Sequence, residues 1–266
     1  MLTRIISAII MAILIAAVIL FAPAIIFNGV VLLVIMGGLY EFFKLTMPSV
    51  DLYRETGWIY GVAIASSILF WRQPLALTAA VILGLFFVTL IHMHHATTLE
   101  GVTSRIAMTL LGAVYLGATL PFWGMLRAMP HGKALVFMGI GATAMSDTFA
   151  LFTGKAIGKH KFAPLTSPNK TMEGFIGGFA GSILSVLIVK MIGWQELPIV
   201  HVIIIGFIIG VVGPFGDLVE SMIKRDHHVK DSGNIIPGHG GFLDRLDAMI
   251  FVAPVLYLYA KWILSL

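Results

Sequence analysis

Apolar runs of the length that crosses a bilayer as a helix, about 20 residues, follow one another through almost the whole of this chain. They lie near 5–22, 24–42, 57–71, 74–92, 106–126, 134–153, 173–193, 199–220 and 247–264. A helix satisfies its own backbone polar groups where water is absent, and the two-residue alternation of a membrane β-barrel is missing. The composition agrees: 59% of residues are hydrophobic and 11% charged, whereas a soluble domain carries about 25% charged residues. So little polar surface cannot cover a water-soluble globule. The chain is therefore read as an all-α integral membrane protein with about nine transmembrane helices, 1–130 forming an N-terminal membrane region and 131–266 a C-terminal catalytic one. The first run exceeds the roughly 7–15 residues of a signal-peptide core and is read as a retained anchor. Cysteine is absent, which excludes disulfides, thiolate ligands and a cysteine nucleophile.

Lysine and arginine set an expected orientation. The N-terminus and the loops after runs 2, 4, 6 and 8 share one side. They carry Arg4, Lys44, Arg54, Arg105, Lys155, Lys159, Lys161, Lys170, Lys224, Arg225, Lys230 and Arg245. The opposite side holds Arg72, Arg127, Lys133, Lys190 and Lys261. The positive-inside bias places the first side in the cytoplasm. Orientation accounts for positive charge, but the segments after runs 6 and 8 interleave it with carboxylates, which needs another reason.

Three segments carry that mixture. In "GDLVESMIKR" a continued helix puts Asp217, Glu220, Ser221 and Lys224 at i, i+3, i+4 and i+7, on one face. Asp217 follows a long apolar run, and ionisable groups at such depth face a partner or a cavity. In "PGHGGFLDRLD" the glycines Gly238, Gly240 and Gly241 open backbone conformations closed to other residues and let N–H groups approach a phosphate. Asp244 and Asp247 stand three apart at the start of the last run, where acidic residues suit a helix N-terminus or, beside Asp217, a hard divalent cation such as Mg²⁺. His239 suits hydrogen bonding or metal ligation, and equally a polar turn. In the third segment Asp147 lies inside an apolar run and is a site candidate on that ground. "TSPNKT" reads as a helix start, with Ser167 as N-cap, Pro168 at the first position and free N–H groups fit for an anion. Lys170 and Glu173 lie one turn inside it.

Other signals are weaker. "HMHH", His92 to His95, reads as interfacial at a helix end. Glu41 and Lys44 are spaced to pair at the end of run 2. Trp58, Trp71, Trp123 and Trp262 read as interface anchors. No Walker A motif, GxGxxG turn or HExxH is present. Carboxylates fit for Mg²⁺, basic groups fit for phosphates and glycine turns on one expected membrane face together point to phosphoryl or nucleotidyl transfer with a lipid partner.

The stretch from Ser221 to Asp247 also resembles the signature of the phosphatidate cytidylyltransferase (CDP-diacylglycerol synthase) family. It reads Ser221, Lys224, Arg225, Lys230, Asp231, Pro237, His239, Gly240, Gly241, Asp244, Arg245 and Asp247, and "SPNKTMEG" and "GDLVES" upstream look like the family too. The specific likeness covers roughly 147–247; the N-terminal half is similar only as a multi-span region. The resemblance implies conversion of CTP and phosphatidate to CDP-diacylglycerol and pyrophosphate, Mg²⁺ with a second, monovalent cation such as K⁺, and a homodimer. Cytidine comes from the resemblance alone. On that basis Asp217 and Asp244 are expected to hold Mg²⁺, with Asp231 and Asp247 orienting the metal shell or the basic groups and Asp147 a second metal candidate. Lys170, Lys224, Arg225, Lys230 and Arg245 divide between triphosphate and lipid phosphate. Ser167, Asn169, Ser221, His239, Gly240 and Gly241 complete the expected substrate site. No nucleic-acid partner is expected, and the compact chain points to a prokaryotic plasma membrane. A CTP-dependent lipid kinase and an ion-coupled transporter are the competing readings.

Overall fold

The computed structural model describes residues 2–48, 51–233 and 240–266. All nine apolar runs are helical. They correspond to α1 (Leu2–Phe21), α2 (Ala24–Thr46), α3 (Asp51–Ser66, continued by a π-helical turn Ser67–Trp71), α4 (Pro74–His95), α5 (Val102–Gly117) with the short α6 (Phe122–Arg127), α7 (Gly132–Ile157), α8 (Met172–Gly193), α9 (Ile199–Asp226) and α11 (Met249–Trp262). The one-turn α10 (Leu243–Leu246) precedes the last of these. Among the described residues, six segments are long and apolar enough to cross a membrane: α2, α4, α5 with α6, α7, α8 and α9. The last helix has only 14 residues, and it begins after Asp247 rather than at it.

The short strands β1 (Lys161–Ala163) and β2 (Ser167–Thr171) depart from the all-helical expectation. They pair antiparallel, Lys161 opposite Thr171 and Ala163 opposite Ser167. The expected helix start at Ser167 is therefore corrected: Ser167–Thr171 is a strand and α8 begins at Met172. Thr171 is its N-cap, the hydroxyl accepting from the Gly174 N–H at 3.1 Å. Ser-Pro-Asn-Lys-Thr has the composition of a helix cap, but a two-stranded ladder consists of edges, where a proline without an N–H is tolerated. The hairpin is tied to α8 by Glu173, which accepts from the backbone N–H groups of Lys159 and His160 and lies 2.6 Å from His160 Nδ1.

The chain divides into two compact units, each discontinuous in sequence. One comprises 1–10, 23–124 and 231–245; the other comprises 11–22, 125–230 and 246–266. In the first, α2, α3 and α5 pack on one another around Ile35, Leu39, Phe42, Phe43, Ile64 and Leu116, all essentially without exposed surface. The π-helical turn that ends α3 is held by Asn28, whose side-chain amide donates to the Leu69 carbonyl at 3.0 Å. Two polar expectations change in this unit. His92 is buried, its ring stacked on Tyr53 at 4.1 Å, rather than interfacial. Glu41 is 2% exposed and does not turn to Lys44, which lies over the Tyr40 ring. Trp123 is likewise buried, while Trp71 and Trp262 are exposed.

In the second unit α8 lies between α7 and α9, and α11 packs on both α9 and α7. Gly181 explains the closeness of α7 and α8, since a Cβ there would stand 2.5 Å from the Met145 carbonyl oxygen. Small residues permit such approach where helices meet in a membrane.

Candidate active site

Helix α9 runs unbroken through the charged segment to Asp226, so Asp217, Glu220, Ser221 and Lys224 do share a face. Around them lies a polar cluster within the second unit. Ligand oxygens of Asp217, Glu220 and Asp247 all fall within 4.8 Å of one another. Glu220 has no exposed side-chain surface and pairs with Lys224 at 2.5 Å. Asp217 receives Lys170 Nζ at 2.6 Å and the Ser221 hydroxyl at 3.2 Å. Lys170 also donates to the Pro214 carbonyl at 3.4 Å.

Gly216 brings Asp247 to this cluster. A Cβ there would stand 2.5 Å from the Asp247 carbonyl oxygen, so the turn at 247–248 approaches α9 only because the side chain is missing. The Asp247 carboxylate accepts from the Ala248 N–H at 2.6 Å. In that turn its carboxyl is pushed up to about 7, first by loss of water around it and then by the Asp217 charge; the Ala248 N–H and Lys224 act in the opposite direction. Three crowded carboxylates supply a hard, all-oxygen donor set of the kind that divalent cations take.

Beside the cluster a cavity of about 570 Å³ opens. Asp147, Lys155, Asn169, Lys170 and Asp217 supply its polar lining, and Leu151, Phe162 and Phe175 its apolar lining. Phe162 and Phe175 stack at 4.6 Å. The hairpin and the N-cap at Thr171 place Lys170 at this wall, and α7 presents Asp147, whose surface is exposed. The second unit thus collects Asp147, Asn169, Lys170, Asp217, Ser221, Lys224 and Asp247 from the sequence-derived set. Ser167 sits at the other end of the strand pair. Arg225 and Lys230 are exposed, with the Arg225 guanidinium on the Val229 carbonyl at 3.1 Å. Sequence reasoning placed Glu220 on the right face but not among the ligand candidates. Spacing along one helix does not show Asp247, and only the fold brings that carboxylate to Glu220.

The remaining signature residues belong to the first unit. Asp244 accepts from the Gly241 N–H at 2.8 Å and the Ser232 N–H at 3.1 Å. Gly240 takes the left-handed backbone conformation, φ 81°, where glycine is favoured. Asp231 and Arg245 are exposed. His239, with Pro237 and Gly238, lies outside the described residues.

The characteristic profile of the cytidylyltransferase family matches residues 2–263. The phosphatidate cytidylyltransferase of Bacillus subtilis (strain 168) is 40% identical over 148 residues, 55% of this chain and 55% of that protein. The phosphatidate cytidylyltransferase of Staphylococcus aureus (strain COL) is 41% identical over 152 residues, 56% of this chain and 57% of that protein. The aligned stretches thus span about half the length of these relatives. The family match, in contrast, runs across both units and both halves of the sequence, and on it this chain belongs to the cytidylyltransferase family.

Proposed function

We propose that this protein is a membrane nucleotidyltransferase that converts CTP and phosphatidate to CDP-diacylglycerol and pyrophosphate. Family membership and the names of its relatives support the reaction. The structural observation that carries it is a cavity lined both by Lys170, Asp147 and Asp217 and by Phe162 and Phe175, next to three converging carboxylates. A phospholipid combines the same two characters: an anionic headgroup attached to apolar chains.

The chemistry suits residues that neutralise and position charge. A phosphate monoester has its second pKa near 6, so phosphatidate is largely dianionic at neutral pH and needs no strong base. One of its oxygens attacks the α-phosphorus of CTP. The bond from that phosphorus to the bridging oxygen breaks, and pyrophosphate leaves with the electron pair. The requirement is to hold two anions together while charge moves to the leaving group. Lys170, reaching the cavity from the hairpin, is placed for phosphate oxygens. Lys224, held by Glu220, raises the positive potential behind the carboxylates. Asp217, Glu220 and Asp247 are the residues that would hold Mg²⁺. A cation there would neutralise nucleotide phosphate charge. Asp147, at the same cavity, is the candidate for a second ion. Asp231, Gly240, Gly241, Asp244, Arg245 and His239 are proposed to serve the same reaction from the signature segment. The homodimer implied by the resemblance is a proposal that the mass in detergent tests.

The experiment is incubation of purified protein in micelles with phosphatidate, Mg²⁺ and CTP labelled in the cytidine. The expected result is label in the extracted lipid and pyrophosphate in the water phase. Release of labelled CDP with none in lipid would identify a lipid kinase instead, and a requirement for sealed vesicles would point to a transporter.

A further inference from the structure

Glu41 lies on α2, far in sequence from every residue of the signature, yet its carboxylate is built into the signature segment. Its Oε2 accepts from the Leu243 N–H at 2.9 Å and from the Ser232 hydroxyl at 3.1 Å, the latter across 191 positions of sequence. Ser232 is bonded twice, its hydroxyl to Glu41 and its N–H to Asp244 at 3.1 Å. Asp244 in turn receives the Gly241 N–H. Two carboxylates joined through one serine therefore tie Ser232 to Gly241 and Leu243. The fit is tight: a Cβ at Gly233 would stand 2.6 Å from Glu41 Oε1, and one at Gly241 would run into Glu41 Oε2 and the Ser232 hydroxyl. Burying a carboxylate costs free energy unless it is well bonded, so this one is poorly explained as a chance surface group. Every contact named here lies inside the first unit.

We infer that Glu41 is a positioning residue for the signature segment, fixing Asp244 and Arg245 by accepting from Ser232 and Leu243. It contributes an acceptor from the N-terminal half, the part of the chain with no recognisable motif. The inference rests on the proposed nucleotidyl transfer for its effect on rate, but not for its effect on the segment itself. Only Oε2 accepts; Oε1 finds no hydrogen-bond donor among the described residues. A carboxamide can therefore keep both bonds, with its oxygen at the Oε2 position, whereas a methyl group keeps neither. Each hydrogen bond contributes about fivefold to an equilibrium, so removing two should loosen the segment by roughly ten- to a hundredfold.

The test compares Glu41→Gln, Glu41→Ala and Ser232→Ala in the full-length protein in detergent. Amide hydrogen exchange over 231–245 is read beside the rate of CDP-lipid formation. In Glu41→Ala, exchange over 231–245 should rise about tenfold or more, while exchange over 199–226 stays as in the parent, and the rate should fall by roughly ten- to a hundredfold. Ser232→Ala, which loses one bond to Glu41, should fall between Ala and the parent. Glu41→Gln should restore both readouts to within about threefold of the parent. Unchanged exchange over 231–245 in Glu41→Ala would overturn the positioning role. So would Glu41→Gln no better than Glu41→Ala, since that would show a need for the charge itself. If Glu41→Ala does not fold, Ser232→Ala and Glu41→Gln decide: exchange unchanged in the first, or raised in the second, overturns it. If the parent makes no CDP-lipid, the reaction reading fails while the exchange comparison still tests Glu41.

Discussion

Lys170 and Lys224 carry the same charge but sit in different surroundings, and removing them should have different consequences. Lys170 and its partner Asp217 keep about a quarter of their side-chain surface, 26% and 27%, and face the cavity. Lys224 keeps 10% beside a Glu220 that keeps none. Taking one member from a buried ion pair strands the other and costs about 3–5 kcal/mol. Lys224→Met should therefore lower both thermal stability and turnover, whereas Lys170→Met should lower turnover with little change in the melting temperature. Equal melting temperatures for the two variants would show that Glu220 does not depend on Lys224. Asp217, the partner of Lys170, invites a stricter test. Asp217→Asn keeps the size and most hydrogen bonds of Asp217 but removes its charge. Because a bound cation stabilises developing charge by several kcal/mol, turnover should fall by roughly a hundredfold or more. Near-normal activity of Asp217→Asn across a Mg²⁺ titration would remove it from the cation site.

At the scale of elements, α9 is the part that local pattern describes best. Its polar face was legible because i, i+3, i+4 and i+7 are neighbours on any helix, and the helix does continue to Asp226. The hairpin was not legible, since "TSPNKT" satisfies the composition rules of a helix start as well as those of an edge strand. Glu41 was misread for a different reason: a one-turn pairing with Lys44 is visible in sequence, while a partner 191 positions away is not. Asp247 was placed near Asp217 by its type alone, and the contact that makes it so is Gly216, one unremarked glycine in a chain that has 28. That contact yields a prediction about the element rather than any catalytic group. Gly216→Ala adds only a methyl group, but it falls on the backbone of the 247–248 turn, which cannot swing aside as a side chain can. Overpacking of this kind costs about 1–3 kcal/mol and should displace Asp247 from Asp217 and Glu220. The variant should still insert and purify, but need more Mg²⁺ for half-maximal activity. An unchanged Mg²⁺ dependence would show that Asp247 is not part of that site.

For the whole molecule the question is which side of the membrane the polar segments face. CTP is a water-soluble anion and phosphatidate lies in the bilayer, so a shared site must be open both to the solution that holds nucleotide and to lipid. The hairpin between α7 and α8 carries Lys159, Lys161 and Lys170, and the end of α9 carries Lys224, Arg225 and Lys230. The α8–α9 turn at 194–198 carries no lysine or arginine and one glutamate, Glu196. If α8 crosses the bilayer, the hairpin and that turn lie on opposite sides, and the positive-inside bias assigns the hairpin to the cytoplasm. The chain has no cysteine, so a single introduced thiol is the only one that reacts. Lys161 and Glu196 are both exposed and neither belongs to the proposed site. Lys161→Cys should resist a membrane-impermeant thiol reagent in intact cells and react after lysis. Glu196→Cys should react in intact cells. The reverse pattern would put the lysine-rich cavity on the side without CTP and would be incompatible with the proposed reaction. Labelling of both in intact cells would mean that α8 does not cross, leaving the nucleotide-facing side to be found from the end of α9.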